Sequence, residues 1–238
     1  TTAFFQSILM RQMLGDLGVS NNNEEAKSHA AIIFVSAFVD WNSQIYISGD
    51  SAERDPVQVA KLVLRKTSER ISRCLQTLDS SLRFRVQLRL YHGWHKGYEP
   101  TANKKAITYV LASTNCADLS SVRNVVFESN VGYGDRLLHA LPQRLHEKLG
   151  IHLPNTLREQ KGILGEKMVD TAMAADVVLA AANEPREWIL VVAEDDDLIP
   201  PIFTAEALLS KSSSRIILLQ NRRRTSNFVK LENIMVRL

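Results

Sequence analysis

Two runs, "AIIFVSAFV" from Ala31 to Val39 and "WILVVA" from Trp188 to Ala193, constrain the fold more than any other feature of the chain. Each is almost unbroken in apolar residues and rich in Val and Ile, without the alternation of a strand that shows one face to water. Such runs suit strands buried on both faces, the condition of a parallel sheet covered by helices on either side. Both are too short to span a bilayer, and no basic-then-apolar leader opens the chain, so the expectation is a soluble, cytoplasmic protein with no membrane partner. The 238 residues can bury a real core as one large domain or a domain with an appendage. Cys74 and Cys116, with no Cys-x-x-Cys, fit a reducing compartment and argue against a disulfide framework or a zinc ribbon.

The segments around these runs alternate in type. Residues 1–29 read as a helical appendage closed by the polar linker "VSNNNEEAKSHA", and 30–238 as the main domain. Asp55 and Pro56 make a helix start, and the helix runs to about Asp79. Val59, Leu62, Val63, Ile71, Leu75 and Leu78 form its buried stripe, with Lys61, Arg65, Lys66, Arg70 and Arg73 mostly elsewhere. "RVQLRLYHGW", "AITYVLA" and "NVVFES" read as strands, and "GDRLLHALPQRLHEKLG" as a helix interrupted or started near Pro142. "GEKMVDTAMAADVVLAAAN" reads as an Ala-rich helix packed on the sheet, "PPIFTAEALLSK" as a last helix and "RIILLQ" as a last strand. Strands alternating with helices predict an α/β domain with a mainly parallel sheet.

In an open parallel sheet, functional groups gather beyond the carboxyl ends of the strands. Asp40 ends the first run, and Glu194, Asp195, Asp196 and Asp197 follow the second, so two distant segments deliver acids to one edge. Adjacent carboxylates repel unless they lie in water or hold a cation, so the stretch is a solvated turn or a cation site. A carboxylate pocket without His or Cys selects Mg²⁺ or Mn²⁺ over zinc. Asp170 and Asp176, both on the Ala-rich helix, stand about 120° apart around its axis and cannot both face one ion unless the helix begins late.

A net charge of +3 is mild, but the basic residues are concentrated in "KLVLRKTSERISR", "RFRVQLRLYHGWHKGYEPTANKK" and "QNRRRTSNFVK". An acidic pocket in basic surroundings suits a metal-dependent enzyme acting on a polyanion. Trp94, His95, Lys96, Lys104 and Lys105 interleave aromatic and basic groups in a way that suits single-stranded RNA, although a loop packed on its own domain reads equally well. DNA fits the same phosphate chemistry. His92 and His95 read as exposed or substrate-side residues, and Arg222 to Arg224 as a solvated turn. No Gly-rich phosphate loop, Gly-x-Ser-x-Gly elbow or Cys/His nucleophile pair is present, which argues against P-loop hydrolysis and acyl transfer.

Three segments in order, "FVDWNS" from Phe38, "GEKMVDTAMAADVVLAA" from Gly165 and "ILVVAEDDDLIPPI" from Ile189, resemble the signature segments of the NYN-domain family, relatives of PIN-domain ribonucleases. The resemblance implies a Rossmann-like PIN/NYN fold and a ribonuclease that hydrolyses RNA phosphodiester bonds with Mg²⁺ or Mn²⁺. It implies Asp40, Asp170, Asp195 and Asp197 as catalytic and metal-binding residues, with Asp176 in support and Lys167 matching the family lysine. Asn42, Ser43 and Asp196 would border them. The chain departs from the family pattern at two places. Ser43 stands where the family has Asn, with Asn42 one position earlier, and Ala193-Glu194 replaces Ser-Gly. Glu194 is therefore a further ligand, a passive substitution or a block to the scissile phosphate. The alternative function is a catalytically inactive NYN-fold module that binds RNA or protein.

Overall fold

The computed structural model describes residues 31–49, 55–137, 152–221 and 234–237. The appendage expected over 1–29, most of the helix expected around Pro142, and Arg222 to Arg224 lie outside the described residues. The chain runs β1 (Ile32–Asp40), α1 (Trp41–Ile47), α2 (Pro56–Leu78), β2 (Arg83–Tyr91), β3 (His95–Lys96), β4 (Glu99–Pro100), α3 (Ala102–Ser113), β5 (Val125–Phe127) and β6 (Gly132–Tyr133). It continues through β7 (Leu157–Gln160), β8 (Ile163–Glu166), α4 (Val169–Asn183), β9 (Trp188–Val192), α5 (Ile199–Leu209), β10 (Ile216–Gln220) and β11 (Met235–Arg237).

The two apolar runs become neighbouring strands at the centre of the sheet. The strand order is β11-β10-β9-β1-β2-β5, with β6 also on β2, and every pairing in this sheet is parallel. β1 is in register with β2 from Ile32 opposite Arg83 to Asp40 opposite Tyr91, and with β9 from Val35 opposite Trp188 to Val39 opposite Val192. Alternate residues of β1 feed two cores. Val35, Ala37 and Val39 meet Val63, Ile71 and Leu75 of α2 and Ile107 and Val110 of α3, whereas Phe38 meets Met173 and Val177 of α4 and Ile202 and Ala205 of α5. From Val35 onward in β1, and throughout β9, the apolar character follows from this double burial; Ile32 and Phe34, at the start of β1, are exposed. Among the described residues no helix is long and apolar enough to cross a membrane.

Three expectations need correction. "AITYVLA" belongs to helix α3: the Thr101 side chain caps it by accepting from Lys104 N at 3.3 Å, and Ala106, Ile107 and Val110 form the buried stripe. Its β-branched residues favour a strand, but the cap and the packing on α2 prevail. Arg70 is buried against the domain, not turned away with the other cations of α2. The Ala-rich helix begins at Val169, and the residues just before it form the hairpin β7–β8, an element the sequence reading did not contain. Pro56 does start α2, although Asp55 makes no side-chain capping bond there.

Candidate active site

Asp40 sits at the carboxyl end of β1 and caps α1, its Oδ1 accepting from the backbone N–H groups of Asn42 and Ser43 at 3.1 and 3.2 Å. Burial to 8% exposure pushes its carboxyl up to about 6, and the charges of Glu166 and Asp170 push the same way against the Ser43 N–H. Asp195 follows β9 and caps its own turn, accepting from Asp197 N at 2.9 Å. Asp170 lies in the first turn of α4. Its carboxyl is raised by the protein around it and then by the charges of Asp195, Glu166 and Asp197. Asp40, Asp170, Asp195 and Asp197 are thus electrically coupled at one edge of the sheet, joined by Glu166, which the sequence reading missed.

Glu166 ends β8 and is turned inward by its contacts. It accepts from Gly93 N at 2.5 Å and lies 2.5 Å from His92 Nδ1. Opposite, His92 Nε2 pairs with Asn103 Nδ2 at 2.8 Å. Nothing in "ILGEK" marks Glu166, because it is the hairpin fold that carries it to Asp40. Asp176 is fully buried and accepts from the Tyr91 hydroxyl at 2.8 Å, beneath the edge and away from the exposed Asp195 and Asp197. The helical geometry that separates it from Asp170 holds.

Glu194 turns toward Arg70. Its Oε1 accepts from Asn221 N at 2.7 Å and lies 3.9 Å from Arg70 Nη2. Arg70 Nη1 donates to Gln44 Oε1 at 2.7 Å, Gln44 Nε2 to Ser43 Oγ at 3.0 Å, and Ser43 Oγ to the Asp40 carbonyl at 3.0 Å. Burial lowers the Arg70 pKa while Glu194 opposes the shift. Glu194 and Ser43 therefore belong to one chain of contacts that braces the carboxyl edge.

Of the two readings of the aromatic-basic loop, Trp94 follows the one in which the loop packs on its own domain. Trp94 is 0% exposed, and its indole Nε1 donates to the Leu90 carbonyl at 3.0 Å, so it packs in the core. His92 and His95 are also buried rather than substrate-side. His95 Nδ1 lies 2.9 Å from Asp135 Oδ2, and its ring stacks on His152. Lys104 Nζ lies 3.7 Å from Asp135 Oδ1 and over the Tyr133 ring, and burial pulls its pKa down to about 8. Lys96 is exposed and paired with Glu159 at 3.1 Å, and Lys105 is exposed. Interleaved aromatics and cations in a sequence do not reveal which of them the fold turns inward.

The donor set at the edge is all carboxylate oxygen, which fits a hard divalent cation. Among the described residues, however, no three His, Cys, Asp or Glu side chains stand close enough together to ligate one ion as they are placed. An open groove of about 830 Å³ lies at the other end of the sheet, lined by Ile32, Arg83, Arg85 and Asn130 among others. It is separated from Asp40 by the length of β1. Fold and edge together define an α/β protein with a parallel sheet and a coupled carboxylate cluster at its carboxyl end. No protein-family model, curated protein or solved structure matches the chain.

Proposed function

We propose that the chain is a metal-dependent ribonuclease of NYN/PIN type that hydrolyses phosphodiester bonds of single-stranded RNA. The observation that carries the reading is the gathering of carboxylates from four segments beyond the strand ends: burial raises the Asp40 carboxyl to about 6 with Glu166 and Asp170 pushing the same way, and Asp170 in turn feels Asp195, Glu166 and Asp197. With Mg²⁺ or Mn²⁺ held by Asp40, Asp170, Asp195 and Asp197, the chemistry available is activation of a water and neutralisation of charge on the phosphodiester. The reading requires the exposed side chains of Asp170, Asp195 and Asp197 to swing inward on binding. Tyr91 and Asp176 fix β2 against α4 beside Asp40, and the contacts from Ser43 to Glu194 tie helix α1 to the loop after β9. Lys167, exposed beside Glu166, is suited to neutralise a phosphate.

A second reading, a nucleic-acid-binding module without catalysis, is favoured by the lack of a ready three-ligand group among the described residues. Incubating the purified full chain with end-labelled single-stranded RNA in Mg²⁺ or Mn²⁺, against EDTA, separates the two. Metal-dependent cleavage that disappears in Asp195→Asn supports the nuclease. Binding with no cleavage under any metal supports the module.

A further inference from the structure

The hairpin β7–β8 has two unlike faces. Strand pairing sets Leu157, Glu159, Leu164 and Glu166 on one and Arg158, Ile163 and Gly165 on the other. The base of the hairpin is tied to the loop after β2: Asn155 and Gly97 exchange bonds at 2.7 and 2.8 Å, His95 N donates to Thr156 Oγ1 at 2.9 Å, and on the first face Glu159 pairs with Lys96 while Leu164 stays exposed. The second face borders an open groove of about 610 Å³ lined by Arg158, Lys161, Ile163, Gly165 and Lys167. Among the described residues none of its three cations has a carboxylate partner; Arg158 Nε donates only to the Asn155 carbonyl at 3.1 Å. At Gly165 a side chain would meet nothing within 4 Å, so the floor of the groove is open.

We infer that this groove seats the phosphates of a single-stranded nucleic acid and leads the strand to the carboxylate cluster. The inference rests on the nuclease reading for what happens at the cluster, but the groove's own function is binding. Three unpaired cations along one concave face complement a polyanion, and the apolar Ile163 at the lip, 73% exposed, offers a surface for a base. Glu166 and Lys167 are consecutive, so the inner end of the groove adjoins the acidic edge through a single peptide unit. A cationic approach beside an acidic centre draws the backbone in while leaving the carboxylates to the reacting phosphate.

The test is fluorescence anisotropy of a labelled oligouridylate with the full chain in EDTA, as a function of salt. Arg158→Gln with Lys161→Gln should weaken binding and flatten the salt slope by about 1.4, two contacts at about 0.7 each. Gly165→Glu, whose backbone lies outside the left-handed region and accepts a side chain, should weaken binding, and Gly165→Lys should not. Wild-type affinity and slope in the double variant, or Gly165→Glu and Gly165→Lys behaving alike, would overturn the groove. So would competition by polyglutamate as effective as by polyuridylate. Cleavage in Mn²⁺ read on the same samples keeps the two ideas apart. A wild type that binds with this slope and cleaves nothing retains the groove and removes the nuclease. One that cleaves while the double variant binds normally retains the nuclease and removes the groove.

Discussion

Arg70 of α2 donates from Nη1 to Gln44 Oε1 at 2.7 Å while its Nη2 faces Glu194 at 3.9 Å, so one buried guanidinium ties helix α1 to the loop after β9. Asp40 caps that helix and Asp195 lies in that loop. Arg70→Met removes the partner of a largely buried carboxylate and should cost about 2–4 kcal/mol of stability. Adding Glu194→Gln should recover part of that loss, read as a coupling energy in a double-mutant cycle by urea denaturation. Additive losses would show that the two groups do not interact.

The raised carboxyl of Asp40 sets a pH dependence with a definite sign. Its folded pKa of about 6 exceeds the ordinary 3.8, so the folded state binds the proton more tightly, and the contribution of Asp40 to stability is greatest below pH about 4 and is lost as pH rises through about 6. The rise corresponds to a loss of up to about 3 kcal/mol. In EDTA, Asp40→Asn should therefore melt higher than wild type at pH 7 and lose this step. An Asp40→Asn protein that melts lower at pH 7 would contradict the assignment.

Glu166 raises Asp40 through its charge, and Glu166→Gln should lower the pH at which Asp40 titrates, followed by carboxyl ¹³C NMR. An unchanged titration would place Glu166 outside the cluster.

The alternation of strand and helix was legible because strands buried on both faces leave unbroken apolar runs, and Asp40 and Asp195 were legible because they terminate those runs. The hairpin β7–β8 was not, since "LREQKGILGE" lacks a clean apolar alternation. Its one signal is Lys161-Gly162, both with positive φ in a two-residue connection between Gln160 and Ile163, the backbone of a tight hairpin turn. Glu166 was hidden with the hairpin, and Arg70 because a cation on a helix reads as solvated until its partners are known. Trp94 misled for a related reason: composition gives the groups present and not the direction they face.

Gly134 lies against the Tyr91 ring so closely that a Cβ there would overlap it. Gly134→Ala should cost about 1–3 kcal/mol by overpacking, and because Tyr91 holds Asp176 it should also impair whatever activity the edge has. Thermal melting with and without Tyr91→Leu, which removes the ring that the new Cβ would overlap, checks this. A neutral Gly134→Ala would mean that the ring moves aside freely.

The most direct measurement is the rate at which the full chain cleaves single-stranded RNA in Mn²⁺, compared with the same protein in EDTA and with Asp40→Asn in Mn²⁺, all confirmed folded. Cleavage by wild type in Mn²⁺ alone, lost in EDTA and lost in Asp40→Asn, is the result the account predicts. Cleavage by Asp40→Asn at the wild-type rate, or a folded wild type that binds the RNA and leaves it intact in both Mg²⁺ and Mn²⁺, would contradict it.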